Sequence, residues 1–275
     1  MAIYLLGLFA LCIILGIAGQ PLWKTYQRKR WAQHPFPAHW RKILRKRVPL
    51  VGRLPTHLQL QLKKHMQAFI AEKPFIACGG LRLTEEMRVV IAAQACLLVL
   101  NRSLAHFDHV RQILVYPAAF AVDRVSTDGA GVQQEHRQAL AGESWSQGQV
   151  ILSWQDALEG AAEPSDGRNV VIHEFAHQLD QENGAAHGAP PPSVGNTAHD
   201  PVRWQRVMGA AFSDLQLAAT QGHATLLNHY GAQDPAEFFA VASETFFEQG
   251  AALQSDNVAL YQALKAYYQV DPAAW

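Results

Sequence analysis

Three side chains in the run 170–180 have the types and the spacing for metal chemistry: His173, Glu174 and His177. Two histidines four residues apart on a helix lie about 40° apart around the axis and one turn along it, so both imidazoles reach one ion. Zinc suits that nitrogen pair. A glutamate one position after the first histidine can lie over the ion's open coordination position and act as general base towards a water whose pKa the ion lowers. The H-E-x-x-H pattern also arises by chance in unrelated helices, so its flanks matter. Val170, Val171, Ile172, Phe175, Ala176 and Leu179 give the segment an apolar surface, Asp166 or Asn169 can cap its start, and Asn183-Gly184 is a stop signal. A buried turn beside two histidines and a glutamate implies that those polar groups have partners.

Catalytic zinc takes three protein ligands and keeps one position open, so a third donor is required. His199 lies too far along a loop for H-E-x-x-H-x-x-G-x-x-H, which would need Gly at 180 and His at 183, where the chain has Asp180 and Asn183. The segment 228–244 is better placed. Asp234 is a good N-cap and Pro235 a good first helical residue, which puts Glu237 in the first turn of a new helix, with Glu244 seven residues on and on the same face. Asp234-x-x-Glu237 also reads as a capping box, in which the glutamate only satisfies a backbone N–H. Against that, Phe238, Phe239, Ala240 and Val241 bury this helix nearly all round, where a carboxylate is costly unless paired or bound to a metal. Glu237 is the expected third ligand and Glu244 the alternative. With Glu237 on the metal, Glu244 and Asp180 become candidates for orienting a histidine.

The elements that must position these groups are mostly helical. Leu58, Leu62, Met66, Phe69 and Ile70 repeat at helical spacing over 56–72, as do the apolar residues of 84–101 behind the capping candidate Thr84. Gln112–Tyr116 reads as a buried strand, which 120–122 continues beyond a bend, and Gln149–Trp154 reads as a second. Residues 141–145 are the candidate sheet edge on which a peptide could pair as an added strand. A long Gly- and Pro-rich loop at 183–200 follows the motif helix; loops of that length beside a site are commonly lids or binding loops. Helical spacing resumes over 201–221 and near 256–269. The fold class is α+β, predominantly helical with a small sheet.

At 275 residues and 49% hydrophobic content, the chain can bury a sizeable core. Cys12, Cys78 and Cys96 show no paired spacing, which argues against both a disulfide framework and cysteine-ligated zinc. Net charge is zero but unevenly spread: 12 of the 23 Lys and Arg precede the first acid, Glu72, and from there on 23 acids face the other 11 basic residues. Residues 2–19 are apolar or small, with no charge before Lys24. A secretory signal would carry its basic residues ahead of the apolar run. Here they follow it, so the positive-inside rule predicts a single-pass transmembrane helix over 1–20, with the remainder cytoplasmic. Residues 21–50, with Trp23, Trp31, Phe36 and Trp40 among the cations, then read as a basic juxtamembrane segment against anionic lipid headgroups, and nucleic acid is not expected. Pro49 and Pro55 mark the junction to a folded domain over 51–275.

His-Glu-Phe-Ala-His-Gln-Leu-Asp at 173–180, with the later Tyr-Gly-Ala-x-Asp-Pro-Ala-Glu-Phe-Phe-Ala-Val-x-Ser-Glu at 230–244, resembles the Mlc titration factor A family of zinc metallopeptidases, within the gluzincins. Residues 114–117 and 142–148 resemble that family's segments as well, and the likeness runs from about residue 45 to the C-terminus. The resemblance implies a zincin-like metallopeptidase domain with His173, His177 and Glu237 as zinc ligands, Glu174 as base and Tyr230 as transition-state donor, with His229 as a rival for that last role. It also implies a transcriptional repressor of sugar uptake as partner, so two readings stand: a peptidase acting on peptide or protein substrates, and a membrane-tethered protein that sequesters a repressor with little turnover. The chain departs from the family in its apolar leader, and in Gln134, with His136 nearby, where some members carry a histidine. A purely structural zinc would need a fourth protein ligand, and the sequence offers none.

Overall fold

The computed structural model describes residues 2–127, 133–140, 142–145, 148–193 and 195–275, with the backbone alone at 2–3, 5–8, 10–18, 120–127, 133–140 and 142–145. Helices α1 (Ala2–Gln33), α2 (Ala38–Arg47), α3 (Leu50–Arg53) and α4 (Thr56–Glu72) lead into strand β1 (Phe75–Ala77) and helix α5 (Glu85–Leu97). Strands β2 (Gln112–Tyr116), β3 (Phe120–Thr127), β4 (Gln133–Leu140), β5 (Gly142–Trp145) and β6 (Gln149–Ser153) follow, then helices α6 (Trp154–Ala162), α7 (Val170–Asp180), α8 (Pro201–Gln221), α9 (Pro235–Glu248), α10 (Gly250–Asp256) and α11 (Val258–Tyr268). The α+β expectation matches this architecture.

The main sheet has the order β1-β2-β6-β5, in which β1, β2 and β6 run parallel and β5 pairs antiparallel with β6 as an edge. Strand β2 shows why: Ile113 and Val115 are buried on one face and the residues between them are half-buried, as a strand covered by helices should be. Residues 120–122 do not continue β2. They begin β3, which pairs with β4 in a separate two-stranded ribbon, because Pro117 cannot extend the ladder beyond Tyr116. The short strand β1 and the helix α6 were not evident from periodicity.

The core is aromatic where it meets the motif helix. Phe175 packs edge-on against Phe69 of α4, with ring centroids 5.6 Å apart, and against Phe107, at 5.1 Å. Replacing such a fully buried ring by alanine costs about 3–5 kcal/mol. On the other side, Phe238, Phe239, Phe246 and Phe247 of α9 are buried with Tyr261, Tyr267 and Tyr268 of α11. Both helices that carry candidate ligands are thus set in packed hydrocarbon, which fixes their spacing.

Helix α1 is continuous from Ala2 to Gln33 and carries Pro21 inside it. Among the described residues no helix is long and apolar enough to cross a membrane, so the anchor expected over 1–20 has no support from the structure; the side chains at 2–3, 5–8 and 10–18 lie outside the described set. The basic tract packs on the body. Arg28 pairs with Glu72 at 2.7 Å and also with Asp108, Trp40 donates to Glu85 at 2.6 Å, Arg47 pairs with Glu86, and Leu44, Val48 and Leu50 belong to the common core.

Candidate metal centre

Helix α7 begins where Asn169 accepts a hydrogen bond from the Ile172 N–H at 3.0 Å, so Asn169 is the cap and Asp166 instead accepts from the Arg168 N–H at 2.9 Å. Helix α9 begins with Asp234, whose carboxylate accepts from the N–H groups of Ala236 (2.8 Å) and Glu237 (3.0 Å), with Pro235 at its first position. These caps aim the two helices so that three side chains from distant parts of the sequence converge. The two Nε2 atoms of His173 and His177 are 3.1 Å apart, and the Glu237 Oε2 lies 3.0 Å from the first and 3.5 Å from the second. Glu237 therefore points across to α7 and not back to its own helix end, as the capping-box alternative would require.

The fit to a metal follows from the protons. Glu244 accepts from His173 Nδ1 at 2.7 Å and also from the Asn169 N–H at 2.5 Å. In neutral His173 the Nδ1 proton goes to Glu244, which leaves the Nε2 lone pair facing the Nε2 of His177 and a carboxylate oxygen of Glu237. Three electron-pair donors facing one another suit a small cation, and their separations match the roughly 3.3 Å edge of a tetrahedron with ligand bonds of about 2.0–2.1 Å. His173, His177 and Glu237 form a group able to hold a metal ion.

Electrostatics in the same place express an excess of negative charge. Burial disfavours the charged form of His173, yet its hydrogen bonds to Glu237 and Glu244 outweigh that and raise its pKa well above the ordinary value. Burial pushes the Glu237 carboxyl up, and the hydrogen bonds from His173 and His177 prevail to hold it at about 2. Glu174 is buried, and its charge also favours the cationic form of His173.

Tyr230 sits in the short 3-10 turn His229–Ala232 just ahead of α9, its ring centroid 5.8 Å from that of His173, while 38% of its surface is exposed. A phenol at the rim of the centre has access to a ligand entering from solvent. His229 is exposed. Of the residues considered for orienting a histidine, Glu244 does so, whereas Asp180 does something else. Its carboxylate is fully buried and accepts the successive N–H groups of His187 (2.7 Å), Gly188 (2.6 Å) and Ala189 (3.0 Å). The loop at 183–200 is pinned further by Trp204 Nε1 on the Gly188 carbonyl (3.1 Å), by Asn196 on the Ala266 carbonyl (2.9 Å), and by Ser193, which Arg102 and His106 hold. Gly188 has φ +76°, and a Cβ there would meet the Pro235 carbonyl oxygen at 2.4 Å, so this loop abuts the start of α9. Between the loop, α8 and Phe238 lies a groove of about 650 Å³. His199 faces Trp204 and Tyr267 and takes no part in the centre. Gln134 and His136 lie in β4, where only the backbone is described, and Ala141 of the predicted edge lies outside the described residues.

Glu248, absent from the H-E-x-x-H and Asp-Pro-Ala-Glu signatures, is legible only from the spacing of α9. It falls eleven residues after Glu237 and four after Glu244, one helical face throughout, and its Oε1 accepts from Asn169 Nδ2 at 2.9 Å. Burial raises its pKa to about 8.

An H-E-x-x-H helix completed by a carboxylate from a later helix, over a mixed sheet with an antiparallel edge, defines a metallopeptidase-like protein. The chain belongs to the glucose-regulated metallo-peptidase M90 family, whose profile matches residues 23–269. It is 40% identical over 267 residues to an uncharacterized protein of Synechocystis sp., covering 95% of this chain and 96% of that one. It is also 32% identical to Mlc titration factor A of Klebsiella pneumoniae over 255 residues (92% of each chain), and 32% identical to Mlc titration factor A of Escherichia coli over 253 residues (91% of each).

Proposed function

We propose that this chain is a zinc-dependent peptidase. The observation that carries the reading is the convergence of His173 Nε2, His177 Nε2 and the Glu237 carboxylate within ligand-to-ligand distance. When bound there, zinc supplies a Lewis acid and lowers the pKa of water. Glu174 accepts the proton of the attacking water and returns it to the leaving amine, which its place beside His173 allows. Tyr230 donates its phenolic hydrogen to the oxygen of the scissile carbonyl as negative charge develops. Glu244 keeps His173 in one tautomer. Edge strand β5 pairs with the peptide backbone, which makes recognition depend more on main chain than on side chains. Metal analysis of the purified protein, paired with cleavage of a peptide library by wild type and Glu174→Gln, tests this. Full zinc with lost turnover in the variant is the expected result; wild-type turnover in the variant would overturn it.

A second reading is favoured by the name Mlc titration factor A carried by relatives that match over nine-tenths of this chain. In it the chain binds and sequesters a transcriptional repressor, and the metal centre is regulatory. Repressor capture by Glu174→Gln at wild-type strength separates binding from catalysis. For either reading we place the domain on the cytoplasmic face of a bacterial inner membrane. The apolar run 2–19 and the exposed Tyr4, Phe9, Leu22 and Trp23 of α1 support this. Fractionation of cells expressing the full chain checks it, and recovery in the soluble fraction would refute it.

A further inference from the structure

Helix α2 has two faces with opposite charge balance. On one, His39 and Trp40 meet Glu85 and Arg47 meets Glu86, both acids belonging to α5. On the other, Arg41, Lys42 and Arg45 rim a groove of about 630 Å³ closed by α3 and by Gln59 and Lys63 of α4, with Leu44, Val48 and Val51 as its floor. No acid precedes Glu72, the last residue of α4, and Glu72 pairs with Arg28 and Lys73 away from the groove lining; among the described residues no acidic group pairs with Lys42, Arg45 or Lys63. Among the described residues Arg41 donates to the Phe36 carbonyl alone, at 3.1 Å.

We propose that this groove binds the headgroup and upper acyl chain of an anionic phospholipid. Four cations line the groove with no counter-charge among the described residues, which calls for a phosphate. The mostly apolar floor calls for hydrocarbon directly beneath it, which neither inorganic phosphate nor a nucleic acid backbone supplies. An acidic amphipathic peptide has both features, but the position in the chain selects lipid. Only residues 34–37 separate α2 from α1, whose Leu22, Trp23 and Tyr26 are exposed just after the apolar run. The inference rests on the membrane reading above and gives it a headgroup preference.

Full-length protein in an uncharged detergent, titrated with dihexanoyl phosphatidylglycerol, dihexanoyl phosphatidylcholine or inorganic phosphate and read by native mass spectrometry, tests it. The expected result is one saturable phosphatidylglycerol per chain, bound at least tenfold more tightly than phosphatidylcholine, with no comparable competition by phosphate. The triple variant Arg41→Glu, Arg45→Glu, Lys63→Glu loses this preference. A control with the same charge change outside the groove (Lys29→Glu, Lys46→Glu, Lys64→Glu) keeps it, and the milder pair Arg45→Gln, Lys63→Gln weakens it in a chain whose circular dichroism is unchanged. Equal binding of the two lipids, equal loss in the control, or displacement by inorganic phosphate or by an acidic peptide at similar concentration would overturn the groove assignment. A chain that fractionates as soluble yet selects phosphatidylglycerol defeats the anchor and keeps the groove; a membrane-retained chain without the preference does the reverse.

Discussion

The metal centre and the basic N-terminal tract are both unbalanced in charge, but in opposite ways. Around α7 and α9 the carboxylates are interior, and the ion pairs of Glu237 and Glu244 are made with histidines. Along α1 and α2 the charge is positive and superficial. Lys24, Arg28 and Arg47 are matched by Asp108, Glu72 and Glu86 of the body, whereas Arg41, Lys42 and Arg45 face the groove, where no acid among the described residues meets them. The difference teaches where binding specificity comes from. Buried acids must have a partner fixed in place, so their geometry suits a metal with few ligands and a defined shape. Exposed cations tolerate an exchangeable partner and depend on salt.

The comparison can be broken most sharply at the ligands. Glu237→Gln removes one of three donors and should weaken zinc binding by roughly a thousandfold, beyond the 10–100-fold typical of a residue that only orients a ligand. Competition with a fluorescent chelator measures it, and near-wild-type affinity would return Glu237 to a capping role. Glu244→Gln keeps the donor set and loosens His173, so a loss of about 10–100-fold is expected in the same assay.

Stability tests follow, with smaller effects. Glu248 has a folded pKa of about 8 against an ordinary 4.5, so its neutral form is favoured in the fold. Its contribution is fully present below about pH 4.5 and is lost as pH rises towards 8, because the unfolded chain ionises first. Glu248→Gln should therefore raise the melting temperature at pH 8 by several degrees, leave it nearly unchanged at pH 4.5, and flatten the slope between them. Glu237 gives the opposite sign in metal-free protein. Its carboxylate is held at about 2, so the stability it adds is present above 4.5 and lost as pH falls through about 2. Calorimetry with and without chelator reads both. Least affected is the surface pair: Arg47→Ala, which loses Glu86, should cost about 0–1 kcal/mol, and a larger loss would mean that the basic tract is structural, not a binding surface.

Much of the centre was legible because helical spacing carries it. His173, Glu174 and His177 declare themselves on one turn, and Asp234-Pro235 announces the helix that brings Glu237. The apolar run Phe238, Phe239, Ala240 and Val241 around Glu237 favours a candidate ligand over a cap from the sequence alone. What spacing could not reveal are contacts that depend on tertiary direction. Asp180 sits one turn past His177 and reads as its support, yet the chain turns back and presents three N–H groups to it first. Likewise, among the described residues, β3 and β4 form a separate two-stranded ribbon, a choice that a short apolar run ahead of a loop leaves open. The basic tract reads as a free interfacial segment because its acidic partners, Glu72, Glu85, Glu86 and Asp108, lie 39 to 84 residues away in sequence.

The separation of the two ligand helices also sets an order of events in the life of the molecule. His173 and Glu237 are 64 residues apart, with all of α8 between them, and the parallel pairing of β1, β2 and β6 beneath them is itself long-range. A nascent chain that has emerged only as far as α7 offers two imidazoles and nothing to close the set. On the proposed reading, metal capture is a late step that reports a finished fold, and a zinc-responsive signal would count completed molecules and not growing ones.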